Sequence, residues 1–138
     1  MRGFPGKVRS LAWSNRVTVS GAPLLASASA EGVVVWEKQL QEASGCEGWV
    51  LEGHLEVVNA LGFQPSTFLL ASASKDGRVC LWDSAEQLVQ TLEGASNGFS
   101  CLAWQPLGQL LATGGHNGEL LIWSRSTSGQ GFGRNVPM

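Results

Sequence analysis

Charge is in short supply. Only 14% of the 138 residues are Asp, Glu, Lys or Arg, against roughly 25% in an average soluble protein. A chain so poor in charge hides much of its surface inside itself or offers it to a partner. Its 9 Lys and Arg against 11 Asp and Glu leave a net charge of -2, which supplies no field to gather nucleic acid or anionic lipid. Neither is expected as a partner. Long hydrophobic runs are missing as well: stretches such as "VVVW" at 33–36 fall far short of the roughly 20 residues that span a bilayer. The first residues, "MRGFPGKVRSLAW", lack the continuous apolar stretch and small-residue cleavage site of a secretory signal, so the default expectation is a cytoplasmic protein.

Chemistry-bearing residues are just as sparse. The three cysteines, Cys46, Cys80 and Cys101, contain no C-x-x-C pair, which argues against zinc or redox chemistry. Cys80 and Cys101 lie in apolar strand-like runs and are expected to be small buried hydrophobes. The glycines of "GGHNG" and "GQGFGR" are not followed by the lysine and hydroxyl of a phosphate-binding loop. No cofactor and no metal are expected.

What the chain does contain is a repeat. "SKDGRVCLWD" at 74–83 has weaker copies in "SAEGVVVWE" at 29–37 and "GHNGELLIWS" at 115–124. Seven residues before each turn glycine, Gly32, Gly77 and Gly118, stands a leucine, and four or five after it stands Trp36, Trp82 or Trp123. Upstream of each lies an extended segment ending in a large aromatic: Trp13, Phe63 and Trp104. Trp36 to Trp82 is 46 positions and Trp82 to Trp123 is 41. The whole difference falls between Trp36 and His54, while His54 to Trp82 and Ala95 to Trp123 are both 28. An insertion confined to one connection is what a structural repeat predicts. A second insertion, "SNRVTVSGAP", is read as a longer loop after Trp13.

Asp-Gly and Asn-Gly between apolar runs are strong hairpin signals, and they predict a tight two-residue primed turn. The strands are almost continuously apolar, so both faces of each sheet should be covered. Four-stranded sheets stacked face to face form the blades of a β-propeller. The expected fold is all-β, with about three such antiparallel blades over 1–123, at approximately 3–45, 46–87 and 88–123. The segment 124–138, "SRSTSGQGFGRNVPM", is Gly- and Ser-rich and reads as a flexible tail that leaves the third copy without a fourth strand.

"LEGH" at 51–54, followed 28 residues after His54 by the tryptophan of "LWD" at 81–83, resembles a WD40 repeat, whose signature runs from Gly-His to Trp-Asp. The resemblance covers roughly residues 3–123. It implies a buried polar network of His54, Ser72, Asp76 and Trp82 with a structural role. The hydroxyl position is kept as Ser27, Ser72 and Thr113, whereas the histidine is replaced by Phe4 in the first copy and Ala95 in the third, and the turn aspartate by Glu31 and Asn117. A Ser-His-Asp hydrolase made from His54, Asp76 and Ser72 is disfavoured, because no G-x-S-x-G elbow occurs.

The resemblance implies a rigid, non-enzymatic scaffold for protein–protein interaction. The turn residues Lys75 and His116, and Glu56 and Asn97 after the Gly-His equivalents, are the candidate contacts with a protein partner. Three blades do not close a ring that typically needs 4 to 8. The scaffold is therefore expected to be part of a larger propeller, and the alternative expectation is an assembly module that completes a propeller by self-association as a homo-oligomer.

Overall fold

The computed structural model describes residues 8–17, 23–29, 32–38, 46–51, 57–83, 87–94, 97–106, 108–125 and 132–134. Twelve strands among them form three four-stranded antiparallel sheets, each a meander in chain order. The first contains β1 (Val8–Val17), β2 (Pro23–Ser29), β3 (Gly32–Lys38) and β4 (Cys46–Leu51). The second contains β5 (Val58–Phe63), β6 (Leu70–Ser74), β7 (Arg78–Asp83) and β8 (Gln87–Glu93). The third contains β9 (Phe99–Trp104), β10 (Leu110–Gly115), β11 (Leu120–Arg125) and β12 (Phe132–Arg134). Strands β1, β5 and β9 lie side by side as the inner strands of three successive blades. The result is an arc of a β-propeller with its ring not closed.

Register makes the three blades superimposable. Leu25, Leu70 and Leu111 each stand opposite Trp13, Phe63 or Trp104 on the inner neighbour. On the other neighbour they oppose Trp36, Trp82 or Trp123. Because side chains alternate across a strand, each blade has a leading face toward the blade before it and a trailing face toward the blade after it. The trailing face of blade one, with Ala26, Ala28, Val33 and Val35, packs on the leading face of blade two, with Val58, Leu61, Phe63, Leu70, Cys80 and Trp82. The trailing face of blade two, with Ala71, Ala73, Val79 and Leu81, packs on Phe99, Leu111, Leu121 and Trp123 of blade three, with Leu102 and Trp104 at the margin. Small residues on one side receive large ones from the other, which is how stacked sheets reach native packing density.

Polar links run between blades two and three. The indole nitrogen of Trp104 donates to the carbonyl of Gly62 at 2.9 Å, Asn59 donates to the carbonyl of Phe99 at 2.9 Å, and Gln64 donates to the carbonyl of Gly108 at 2.5 Å. Gly62 leaves room for this contact, since a Cβ there would stand 2.8 Å from Cδ1 of Leu102.

Four expectations need correction. The tail does supply a fourth strand to the third blade: Phe132, Gly133 and Arg134 pair with Arg125, Ser124 and Trp123. Three residues including a glycine carry no periodic signal, and the free edge of β11 sets their register. The hairpin turns of blades two and three are not two-residue primed turns. Gly77 N–H donates to Ser74 O at 3.2 Å and Gly118 N–H to Gly115 O at 3.1 Å, and the glycines alone take positive φ, 86° in both. This is a three-residue loop in which one ordinary turn is followed by a left-handed glycine, so Asp76 and Asn117 need no positive φ.

The insertion after Trp13 is partly strand, because β1 continues to Val17, which pairs with Pro23 across an irregularity in register. Leu24 N–H is satisfied there by Oγ of Ser14 at 2.9 Å. Finally, Cys80 is buried but Cys101 is exposed. Cys101 lies on the trailing side of blade three, where no sheet covers it.

Candidate functional site

A tryptophan–hydroxyl pair recurs in every blade. Nε1 of Trp82 donates to Oγ of Ser72 at 2.9 Å, Nε1 of Trp123 to Oγ1 of Thr113 at 2.9 Å, and Nε1 of Trp36 to Oγ of Ser27 at 3.2 Å. Ser72 stands opposite Cys80, so Trp82, two residues further along the same face, folds its indole back diagonally across the strand pair. The spacing is nine residues in blade one and ten in the others. The missing residue is absorbed at the turn, where Ser29 pairs directly with Gly32. Burial demands the pairing, since an indole N–H removed from water needs an acceptor.

Ser72 and Trp82 are brought together, and Ser72 is wholly buried. Its hydroxyl oxygen faces an indole donor, not a cleft, which leaves no access for a substrate carbonyl. Asp76 sits in the β6–β7 turn, half-buried, and its Oδ1 accepts from Arg78 N–H at 3.0 Å. His54 and Glu56 lie outside the described residues.

Sequence reasoning passed over Ser74. Its buried Oγ donates to Val57 O at 2.9 Å and accepts from Asp76 N–H at 3.1 Å. One hydroxyl thus ties the turn to the chain entering β5. The signal was present in "SKDG", where Ser and Asp two residues apart each cap a backbone N–H two positions on. It was missed because the third copy has Gly115 at that position.

Cys80 lies beside this network. Burial, and next the negative charge of Asp76, raise its thiol from 9.0 to about 11, outweighing a hydrogen bond with Thr91 and the nearby Arg78. A thiol held protonated in this way is a poor nucleophile.

The exposed candidates cluster on one rim. Lys75, Asn97 and His116 are all exposed, at the end of the sheets that carries the β6–β7 and β10–β11 turns. Gly98 connects them. A Cβ on it would meet the Lys75 carbonyl oxygen at 2.6 Å, and its own carbonyl accepts from His116 N–H at 3.0 Å. With φ at 94°, Gly98 adopts a conformation that other residues enter only with strain. Gly98 thus lies closely against the turn of blade two and is hydrogen-bonded to the turn of blade three, while the side chains of Lys75, Asn97 and His116 are exposed.

The family profile described as "WD domain, G-beta repeat" (WD40) matches residues 45–83 and 86–124, more than half of the chain. Each matched segment begins with the outer strand of one blade and extends into the third strand of the next, so the sequence unit straddles two sheets and fastens them covalently. Protein CIA1 of Arabidopsis thaliana is 34% identical over 102 residues, covering 68% of this chain and 29% of that protein. The chain thus spans under a third of that relative's length. Repeat spacing, blade register and family profile agree that the chain belongs to the WD40-repeat family.

Proposed function

We propose that this chain is a non-catalytic protein-interaction scaffold whose contact surface is the rim bearing Lys75, Asn97 and His116. The observation that carries this reading is the Gly98 junction, which sets the exposed Lys75 of one hairpin turn and the exposed His116 of the next against the same backbone residue. A rigid rim lowers the ordering cost of binding a folded partner. Family membership and the similarity to CIA1 support a scaffold at the level of the fold.

Quantitative affinity purification compares the unaltered chain with a Lys75→Ala, Asn97→Ala, His116→Ala variant. A control variant carries Gln105→Ala and Gln109→Ala on the opposite rim, in the β9–β10 connection. Partners lost with the first variant and retained with the second support the rim. Equal recovery with both counts against it.

A further inference from the structure

Two Asn-Gly pairs, Asn97-Gly98 and Asn117-Gly118, lie on the same rim, and the fold holds them in opposite ways. Asparagine before glycine can react with its own backbone, because no Cβ shields the glycine nitrogen from the asparagine side-chain carbonyl. The reaction needs that nitrogen to swing toward Cγ of the asparagine. The peptide plane between the two residues must therefore be free to turn.

At Asn97 it is not free. Gly98 is buried, its carbonyl accepts from His116 N–H at 3.0 Å, and a Cβ on it would stand 2.6 Å from the carbonyl oxygen of Lys75. Turning the Asn97-Gly98 peptide separates backbone that is packed between two blades. At the β10–β11 turn the constraint is slight. Asn117 and Gly118 are both exposed, and nothing lies within 4 Å of where a Cβ of Gly118 would be. The Gly118 nitrogen is tethered to Gly115 O at 3.1 Å by a turn hydrogen bond, and exposed turn bonds open to water at small cost.

We infer that Asn117 is a site of spontaneous deamidation, and that the fold directs this reaction to Asn117 and away from Asn97. The Gly118 nitrogen, its proton lost to solvent base, bonds to Cγ of Asn117, and the side-chain nitrogen leaves as ammonia. The cyclic imide that remains is opened by water. Addition at Cγ gives aspartate, whereas addition at the main-chain carbonyl gives isoaspartate, whose backbone runs through Cβ and Cγ. One water enters and one ammonia leaves, with nothing oxidised or reduced.

Both products disturb the turn. Oε1 of Glu119 accepts from Asn117 N–H at 3.1 Å, so a carboxylate at position 117 meets a like charge beside it. Blade two carries its turn aspartate, Asp76, next to Gly77 and Arg78, and blade three has Glu119 where that arginine stands. Isoaspartate lengthens the backbone of a three-residue loop and so breaks the bond from Gly118 to Gly115. This inference rests on turn geometry and not on the partner reading of the rim. A chain that binds nothing still ages at Asn117.

The test is peptide mapping of the full chain held in mildly alkaline buffer, with isoaspartate tagged by a protein-isoaspartate methyltransferase and a labelled methyl donor. The folded chain should deamidate at Asn117 several-fold faster than at Asn97, and in urea the two rates should converge. Equal rates in the folded chain, a faster Asn97, or no reaction at Asn117 overturn the inference. So does a ratio that urea leaves unchanged, because the neighbouring sequence and not the fold would then set it. Gly118→Ala places a methyl beside the attacking nitrogen and should slow the reaction at Asn117 several-fold; an unslowed reaction contradicts the imide route. Asn117→Asp stands in for the aspartate product and should raise hydrogen exchange at Gly118 N–H several-fold. Unchanged exchange contradicts the effect on the turn.

Discussion

The indole N–H of Trp82 donates to the hydroxyl of Ser72 at 2.9 Å, with 2% of the tryptophan and none of the serine exposed. A third-strand tryptophan and a second-strand hydroxyl so far from water depend on each other. Ser72→Ala leaves the indole N–H without its acceptor and should cost about 1–3 kcal/mol, the desolvation penalty of an orphaned buried donor. Thr113→Val, which removes only the acceptor beneath Trp123, should fall in the same range, and Thr113→Ser should cost less. Urea denaturation of the three variants measures the differences; equal stability of Thr113→Val and the parent chain contradicts the pairing.

Two glycines with similar backbone angles should respond differently to alanine. Gly118, at φ 86°, has nothing within 4 Å of where a Cβ would lie, whereas at Gly98, at φ 94°, that atom would meet Lys75 backbone at 2.6 Å. Gly118→Ala should cost only the left-handed strain of about 1–2 kcal/mol. Gly98→Ala adds a backbone collision and should be clearly worse, and it should also separate the two rim turns. Thermal melts rank the pair, and hydrogen exchange at His116 N–H, which donates to Gly98 O, reports the separation.

Cys80 and Cys101 should differ in reactivity. Exposed Cys101 reacts with a thiol reagent at neutral pH, while Cys80, buried and with its thiol raised to about 11, reacts only on unfolding. The unfolded chain releases the Cys80 proton near 9.0 and the folded chain holds it to about 11. The unfolded state therefore binds fewer protons across that interval, and stability falls as pH rises through it. The advantage of the parent chain over Cys80→Ala should be complete below about pH 9 and shrink toward pH 11. Urea midpoints in a pH series follow it, and a constant gap means the thiol does not titrate in this way.

The junction between blades two and three can be weakened without emptying it. Trp104→Phe removes the donor to Gly62 O and makes the position like Phe63 in blade two, so the loss should be about 0.5–1.5 kcal/mol. Gly62→Ala brings a methyl to 2.8 Å from Leu102 Cδ1, and relief depends on how far that side chain can swing. Its cost should fall when combined with Leu102→Ala. A double-mutant cycle on denaturation midpoints checks the coupling.

Much of the blade was legible in the chain itself. The leucine, the turn glycine and the tryptophan recur at set intervals because a strand pair in fixed register allows no slip: one residue out of step turns every side chain to the wrong face. That is why Leu70 faces both Phe63 and Trp82, and why the hydroxyl at Ser27, Ser72 and Thr113 could be picked out as one position. Local turn chemistry was less readable. Asp76-Gly77 fits a two-residue primed turn by composition, and only the positive φ at Gly77 and not at Asp76 distinguishes the three-residue loop.

The repeated apolar strands and the tight turns between them by themselves determined that this protein is a stack of four-stranded sheets, because strands apolar on both faces and joined by hairpins, with no helical segment to cover them, must be covered by other sheets. Only the tertiary structure decided which of those faces are covered. Leu11 and Leu61 occupy the same register position, yet one lies 62% exposed and the other 8%, since burial depends on whether a neighbouring blade stands in front of a face and not on the residue in it. Cys101 is exposed for that reason, and Phe132–Arg134 becomes a strand because β11 offers an open edge. A repeat encodes its own blade in its sequence, and the contacts of its outer faces are set by what stands beside it.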